Sequence, residues 1–562
     1  MAEPSRSLLS REFRKMVNAV RDGWRLLRHR GPSQIRFWLI ALAIGIAAGF
    51  AALFFRKAID ALQSALYGTD DVHRLHSFAE SLPWYWILTI PILGGLAVGL
   101  ILHHFTPDGR VRAVANVIEG AALHEGRVER RAGVASMFAS LITLGAGGSS
   151  GREGPVVHMA GVISTLVCRK INADGLTGRD LLGCAVAAAV SASFNAPIAG
   201  ALFALEVVLR HFAVRAFAPI VIASVAGTVI NRLEFGDVTE FVLTTPGELK
   251  FYVELPAFLV LGLICGVIAV VFMRSIFWAE DIGDHFQRRS GLPRWLRPAI
   301  AGAMLGAIAI WFPHIIGVGY ETTYNALSGD YILNEVIVFA VIKAAAVAIT
   351  FGGRMGGGVF SPSLMLGALS GLAFGLIATS LLPEVSGSPA LYAYAGMGAV
   401  AAAVLGAPIS TTMIVFELTG DWQVGIAVMV SISISTAIAS RMVERSFFLT
   451  QLGRQGVHLA AGPQAYLPSM FHARAVMRAP DAPNAANATR CYEMMEEGLF
   501  VEATTTLEAA LPLLDRVDDG FVPVVELSDA SDRPRLVGAL FHIDALKAYN
   551  RALAAIAAEE HS

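Results

Sequence analysis

The sequence predicts an all-α polytopic membrane protein with interrupted helices, an internal repeat and a small α+β domain at its C-terminal end. Of its 562 residues, 55% are hydrophobic and only 16% are charged, whereas soluble domains carry about 25% charged residues. Long apolar stretches recur along most of the chain. Many shorter apolar stretches lie between them and fall below the roughly 20 residues that a bilayer crossing takes.

The first 34 residues form a basic segment ahead of the first apolar stretch. Residues 1–30 contain eight Arg or Lys and three acidic residues, and the first long apolar run starts near Ile35. That start is too late for a signal peptide, and the excess of basic residues predicts a cytoplasmic N-terminus. An amphipathic helix on the membrane surface and a solvated basic tail both fit this segment.

Interrupted helices are predicted from the lengths of the apolar stretches. Backbone that ends inside a membrane must be buried in protein or line a wet cavity, and broken helices that meet near the bilayer midplane are typical of ion and solute pathways. The stretches of spanning length are 36–55, 84–105, 255–278, 296–312, 334–351 and 423–442. The shorter runs are 112–124, 131–146, 153–170, 180–191, 197–210, 361–381, 391–405 and 408–419.

An internal repeat joins the two halves of the membrane region. The segment NAPIAGALFALEVV at 195–208 matches GAPISTTMIVFELT at 406–419, and each has a glutamate nine positions after its proline. A glycine-rich element ending in proline precedes each segment: GREGP at 151–155 and GGVFSP at 357–362. The matching order of these elements predicts a duplicated, inverted membrane unit.

The two glycine-rich elements have the properties of an anion site. A helix that starts at such a turn leaves backbone N–H groups unpaired where the helix dipole is positive, and this arrangement binds anions. Pro155 and Pro362 fit the first turn, where a missing N–H costs little. The carboxylate of Glu153 would lie at the same terminus and compete with the anion, so Glu153 is predicted to act as a gate.

These motifs resemble the CLC family of chloride channels and proton-coupled chloride exchangers over residues 35–456. The resemblance implies a CLC-type inverted-repeat fold with halves at about 35–230 and 253–445, and a homodimer with one anion pore in each subunit. It makes Glu153 the gating glutamate. The anion-binding residues that it implies are Gly151, Arg152, Gly154, Gly358, Val359 and Phe360.

Three positions depart from the family pattern. Arg112 stands where the family has the serine that caps the central anion, and Phe448 stands where it has a tyrosine that also binds the anion. Both are therefore candidate anion-binding residues. Val207 replaces the inner glutamate that relays protons in the exchangers. Valine cannot carry a proton, so the sequence favours a passive chloride channel, with a proton-coupled chloride exchanger as the alternative.

Several other interpretations remain open at this stage. Arg112 could instead pair with Glu119 or extend to the membrane surface, and Glu206 and Glu417 are predicted to cap or pair with backbone. The stretch GSSG at 148–151 fits the nucleophile pattern of intramembrane serine proteases, with Ser150 as nucleophile. A non-transporting membrane sensor is a third possibility.

A cytoplasmic domain is predicted at 463–562, with the order strand, helix, strand, strand, helix. It resembles a CBS regulatory domain, which leaves a nucleotide ligand open. The expected partners are a second copy of the chain, a small anion and the lipids of the cell membrane, with both termini cytoplasmic. A net charge of −2 does not suggest nucleic acid, and four scattered cysteines indicate no zinc site or disulfide framework. No enzymatic activity, metal or cofactor is expected.

Overall fold

The computed structural model describes residues 5–561 apart from 70, 213, 237–250, 385, 458, 460–470, 483, 518 and 529–530. Its first half contains the helices α1 (Ser5–Tyr67), α2 (Leu75–Ala79), α3 (Trp84–Phe105), α4 (Val114–Leu123), α5 (Arg130–Gly145), α6 (Glu153–Ile171), α7 (Gly175–Phe194), α8 (Pro197–Phe203) and α9 (Val214–Phe235). The second half contains α10 (Phe251–Ser290), α11 (Arg297–Ala309), α12 (Tyr320–Ser328), α13 (Leu333–Gly352), α14 (Phe360–Leu381), α15 (Pro389–Leu405), α16 (Pro408–Thr419), α17 (Trp422–Met442) and α18 (Phe447–Arg454).

Within the described residues, seven helices are long and apolar enough to cross a membrane. They confirm five of the predicted spans. The stretch 296–312 was predicted wrongly, because its helix α11 ends after 13 residues at Ala309. Conversely, α9 and α14 are each 22 residues long and meet the length for a span. From the sequence, no apolar run is assigned to α9, and 361–381, the stretch of α14, is classed among the shorter runs.

The internal repeat is visible in the packing of the helices. In the first half α7 packs against α6 and α9, and in the second half α15 packs in the same way against α14 and α17. Both central helices are made largely of small residues, and almost all of their side chains are buried. Small residues let helix backbones approach closely inside a membrane. A Cβ atom at Gly367 in α14, for example, would lie only 2.4 Å from the carbonyl oxygen of Gly396 in α15.

Glu206 and Glu417 connect the two halves reciprocally. The Glu206 carboxylate follows α8 and accepts the backbone N–H groups of Ile409 and Ser410 in α16 at 2.9 and 2.7 Å. The Glu417 carboxylate in α16 accepts those of Ile198 and Ala199 in α8 at 3.0 and 2.8 Å. Each glutamate therefore satisfies the otherwise unpaired first N–H groups of a helix in the other half. The prediction that both residues have a structural role is confirmed.

The C-terminal tail contains a small α+β unit, whose predicted start at 463 lies outside the described residues. Its three-stranded sheet has the order β1–β2–β3, with β1 parallel to β2 and β2 antiparallel to β3. The order strand, helix, strand, strand, helix agrees with the sequence prediction. The elements are α19 (Ala473–Val476), α20 (Ala488–Glu496), β1 (Val501–Glu502), α21 (Leu507–Leu514), β2 (Phe521–Ser528), β3 (Ser531–Phe541) and α22 (His542–His561).

Candidate functional site

The two glycine-rich elements pair directly with each other. The N–H of Gly151 donates to the carbonyl of Gly358, and the N–H of Gly358 donates back to the carbonyl of Gly151, both at 2.7 Å. This two-bond bridge holds the first turns of α6 and α14 side by side. The sequence predicted that both helix N-termini would lie near one point, but it gave no indication of this backbone pairing.

Close approach at the bridge depends on the absence of side chains. A Cβ atom on Gly154 would lie 3.1 Å from the Cα of Gly358, and one on Gly358 would lie 3.0 Å from the amide nitrogen of Gly154. Gly357 adopts φ +130°, which other residues rarely adopt. These glycines let the positive ends of two helix dipoles face one small region.

The carboxylate of Glu153 occupies that region. Glu153 is the first residue of α6 and is 2% exposed. One of its oxygens, Oε1, accepts a hydrogen bond from the hydroxyl of Ser361 in the first turn of α14. The Glu153 carboxyl group therefore lies beside two helix N-termini, and its role as a gate remains a prediction. Ser361 lies within the GGVFSP element but was not recognised as a partner, since its contact depends on the pairing of the two halves.

A cavity of about 70 Å³, which we call the central cavity, is lined by Glu153 and Gly154. Phe203, Phe360 and Phe448 line its apolar part. The wall of the central cavity includes five of the candidate anion-binding residues: Gly154, Gly358, Val359, Phe360 and Phe448. An anion in this cavity would lie in a mostly apolar surrounding with the helix N-termini at one end.

Arg152 lies on the other side of the same segment. It lines a second cavity together with His76, His314, Tyr320 and other residues, which we call the histidine cavity. Its guanidinium donates to the carbonyl of Ser193 at 3.0 Å and lies 5.1 Å from the centre of the Tyr320 ring. Two consecutive residues, Arg152 and Glu153, thus belong to different cavities, and the GREGP segment separates those cavities.

The structure places Arg112 away from the central cavity. Its guanidinium lines a wide cavity of about 910 Å³ and forms ion pairs with Asp108 at 2.8 Å and Glu129 at 3.2 Å. The partner expected from the sequence, Glu119, is instead hydrogen-bonded by Asn116 at 3.4 Å. The nearby Val111 and Ala113 do line the central cavity. The role of Arg112 in anion binding remains a prediction, and its two carboxylate partners reduce the charge it can offer an anion.

Val207 is buried at 5% exposure in a short π-helical turn, Ala204–Leu209, that follows α8. It is absent from the residues that line the central cavity, whereas Phe203, one turn earlier, is present. The position therefore offers no titratable group.

Lys343 is a buried charge that the sequence did not identify. It lies in α13 with no exposed surface, and its ammonium group donates to the carbonyls of Ile315 and Gly317 at 3.2 and 3.0 Å. These carbonyls belong to the segment that leads into α12 and positions Tyr320 against Arg152. Lys343 therefore fixes one wall of the histidine cavity.

Ser150 has a structural environment that does not support the protease interpretation. Its hydroxyl is fully buried and donates to the carbonyl of Gly356 at 3.1 Å. Among the described residues no histidine is hydrogen-bonded to Ser150. Throughout the residues that the structure describes, no group of three or more His, Cys, Asp or Glu side chains is arranged to hold a metal ion.

Comparison with known proteins decides the family. The family model described as voltage gated chloride channel matches residues 94–440, which is well over half of the chain. The chain belongs to the voltage gated chloride channel (CLC) family. CLC members are channels or transporters and not enzymes.

The CLC relatives of this chain include proteins named as channels and as exchangers. A chloride channel protein described as ClcB-like from Ralstonia nicotianae is 31% identical over 70% of this chain and 91% of its own length. The H(+)/Cl(-) exchange transporter ClcA from Vibrio cholerae is 30% identical over 74% of this chain and 87% of its own length. A slow cyanobacterial Cl-/H+ antiporter of known structure has a TM-score of 0.65 at 22% identity, covering 75% of this chain and 98% of its own. This last likeness supports the CLC fold.

Proposed function

We propose that this CLC protein transports chloride or a similar small anion across the membrane in exchange for protons, and that Glu153 is its gate. The observation that carries the proposal is the Gly151–Gly358 bridge, which brings two helix N-termini to the Glu153 carboxylate between two cavities. The ionised carboxylate and a chloride ion are attracted by the same N–H groups and dipoles. Only one of them can occupy the position at a time.

Protonation of Glu153 couples the two transported ions. A neutral carboxyl group is attracted much less strongly to the helix N-termini than a carboxylate, so the side chain can leave the position and an anion can enter it. The backbone N–H groups at Arg152–Gly154 and at Val359–Phe360 are the proposed anion ligands. When the proton is released, the carboxylate returns and displaces the anion.

Exchange rather than passive conduction is favoured by the relatives. Both the Vibrio cholerae ClcA relative and the cyanobacterial structure are named as exchangers of chloride and protons. A passive channel is the second candidate, because Val207 removes the proton acceptor found in the family's exchangers and Phe448 lacks a hydroxyl that would retain the anion. The ClcB-like relative named as a channel is consistent with that candidate.

The assembly and its orientation are also part of the proposal. We expect a homodimer in the cell membrane with both termini in the cytoplasm. Ile198 and Ile409 lie in the first turns of the two reciprocally capped helices and are 53% and 48% exposed in the single chain, so this apolar face suits contact with a second copy. The α+β tail would act as a CBS-like regulatory domain, with a nucleotide as a candidate ligand.

The test is ion movement in proteoliposomes with chloride and pH recorded together. A chloride gradient is imposed with no pH gradient and with the membrane potential clamped at zero. Exchange predicts that protons move uphill in the wild type. Glu153→Gln should still pass chloride but carry no protons and lose the dependence of its flux on external pH. Chloride flux without proton movement in the wild type would refute exchange and leave the channel, and an unchanged pH profile in Glu153→Gln would refute the gate.

A further inference from the structure

A second carboxylate lines the central cavity together with Glu153. Glu280 lies in α10, and it lines the central cavity together with Glu153, Asp284 and Gln451. The central cavity adjoins the wide cavity, since Asp284 and Arg354 line both. Glu280 is half-buried. A proton on Glu280 therefore has access to the space that leads to Glu153.

Glu280 and Asp284 lie one helical turn apart and differ in their partners. Asp284 forms ion pairs with Arg297, with Arg354 at 2.9 Å and with Arg110 at 3.6 Å. Three guanidinium groups hold this carboxylate ionised. The Glu280 carboxylate, in contrast, has no ion pair or hydrogen bond among the described residues, so it can take up and release a proton without breaking one.

The cations around Glu280 are engaged elsewhere. Arg454 in α18 forms an ion pair with Asp281, and Arg110 is paired with Asp284. The guanidinium of Arg297 in α11 donates to the backbone carbonyl of Glu280 at 3.2 Å and makes no hydrogen bond to the Glu280 carboxylate. These are the charged groups that act on Glu280 from the neighbouring elements, together with Asp284 on its own helix.

We propose that Glu280 is the internal proton acceptor that supplies Glu153 through water in the central cavity. This inference rests on the proposed exchange. In the inward-facing step a proton from cytoplasmic water binds the Glu280 carboxylate. It then leaves the Glu280 carboxyl along the cavity water and binds the Glu153 carboxylate, so that Glu280 is ionised again and Glu153 becomes neutral. Glu280 in α10 thus takes the part of the inner glutamate that the family's exchangers have at the position of Val207.

One consequence concerns the route. The proton and the anion share the central cavity in this arrangement, and neither needs a separate path through the buried π-helical turn around Val207. An anion that occupies the cavity would displace part of the water that carries the proton. We therefore expect the number of protons moved per chloride to fall as the internal chloride concentration rises.

The experiment compares Glu280→Gln with the wild type under an imposed chloride gradient. Glu280→Gln should still pass chloride, which reports a folded protein, while proton movement falls at least about tenfold, because a positioned acid–base group typically contributes about a hundredfold or more to proton transfer. Glu280→Asp keeps a carboxylate and should keep the coupling. Glu444→Gln is the control, since Glu444 is exposed and lines neither the central nor the wide cavity, and it should move protons as the wild type does.

The outcomes separate the two proposals. If the wild type couples protons and Glu280→Gln does so equally, Glu280 is not the acceptor while exchange stands. If the wild type moves no protons, exchange fails and the role of Glu280 fails with it. If Glu280→Gln does not fold, Glu280→Ala is compared with Glu280→Asp, and equal proton movement in these two variants would overturn the inference.

Discussion

Replacement of Glu417 by alanine tests the reciprocal caps that join the two halves of the membrane domain. In the wild type the two carboxylate oxygens of Glu417 accept the N–H groups of Ile198 and Ala199 at 3.0 and 2.8 Å. Alanine removes both acceptors and leaves these N–H groups at the start of α8 without a partner inside the membrane domain. Glu206→Ala does the same to Ile409 and Ser410 at the start of α16.

The size of the loss follows from the number and kind of hydrogen bonds. Each bond joins an ionised oxygen to a backbone N–H, and hydrogen bonds to charged groups contribute about 1.5–3 kcal/mol. Removal of two such bonds should lower the free energy of unfolding by about 3–6 kcal/mol. Glu417→Gln keeps one oxygen, which is neutral and binds less strongly, and turns an NH2 group toward the second N–H, so its loss should be smaller than that of Glu417→Ala but more than half of it. Because the two sites are reciprocal, Glu206→Ala should cost a similar amount.

The assay is the free energy of unfolding of purified protein in mixed micelles, titrated with a denaturing detergent. Glu444→Ala is the control, because Glu444 is exposed and the described residues show no hydrogen bond or ion pair to its side chain. The free energy of unfolding should be highest for the wild type and Glu444→Ala, lower for Glu417→Gln and lowest for Glu417→Ala. A loss below about 1 kcal/mol in both alanine variants, less than one ordinary hydrogen bond, would show that these carboxylates do not hold the halves together.

Three further outcomes are expected. Burial against His76 and Phe339 lowers the pKa of His314 from 6.5 to about 4. The unfolded chain therefore binds the proton first, and the stability of the protein falls as pH drops from about 6.5 toward about 4. In thermal unfolding, His314→Phe should lack this dependence of stability on pH, and an unchanged dependence would show that another group causes it. Phe448→Tyr adds a hydroxyl to the central cavity, and one hydrogen bond of about 1 kcal/mol should tighten chloride binding roughly fivefold in calorimetry; equal affinities would mean that the ring does not face the anion. Arg112→Ser should leave the order of anion permeabilities unchanged, since Asp108 and Glu129 neutralise the guanidinium; a shift toward chloride would show that Arg112 reaches the anion.

Local patterns were enough to predict the repeat and the ends of its helices. Proline followed nine residues later by glutamate occurs in both halves, and in both the glutamate caps a helix. The GREGP element likewise predicted a helix that begins at Glu153. In the tail, the predicted order strand, helix, strand, strand, helix agrees with the structure from Val501 onward. These features depend on residues close together in the chain.

Features that depend on contact between the halves were not predictable from one sequence. The hydrogen bond from Ser361 to Glu153 spans 208 positions, and nothing near either residue indicates it. Hydropathy also failed to predict the full length of α14. This helix is long enough to span a membrane, but glycine and serine residues interrupt its apolar sequence. Arg112 could be aligned with a family position, but its ion pairs are set by how the loop before α4 folds.

The hydrogen bonds around Glu153 hold the backbone of the site in place, while the proposed gate moves a side chain. The backbone around Glu153 is held by the Gly151–Gly358 bridge, and the two halves are held by four further bonds at the reciprocal caps. The Glu153 side chain is held to the other half by the hydroxyl of Ser361, and a hydroxyl bonds to a neutral carboxyl group as well as to an ionised one. Protonation therefore weakens the attraction between the side chain and the helix N-termini without disturbing the backbone. The gate that we propose would therefore need only a rotation of the Glu153 side chain, with the fold around it unchanged.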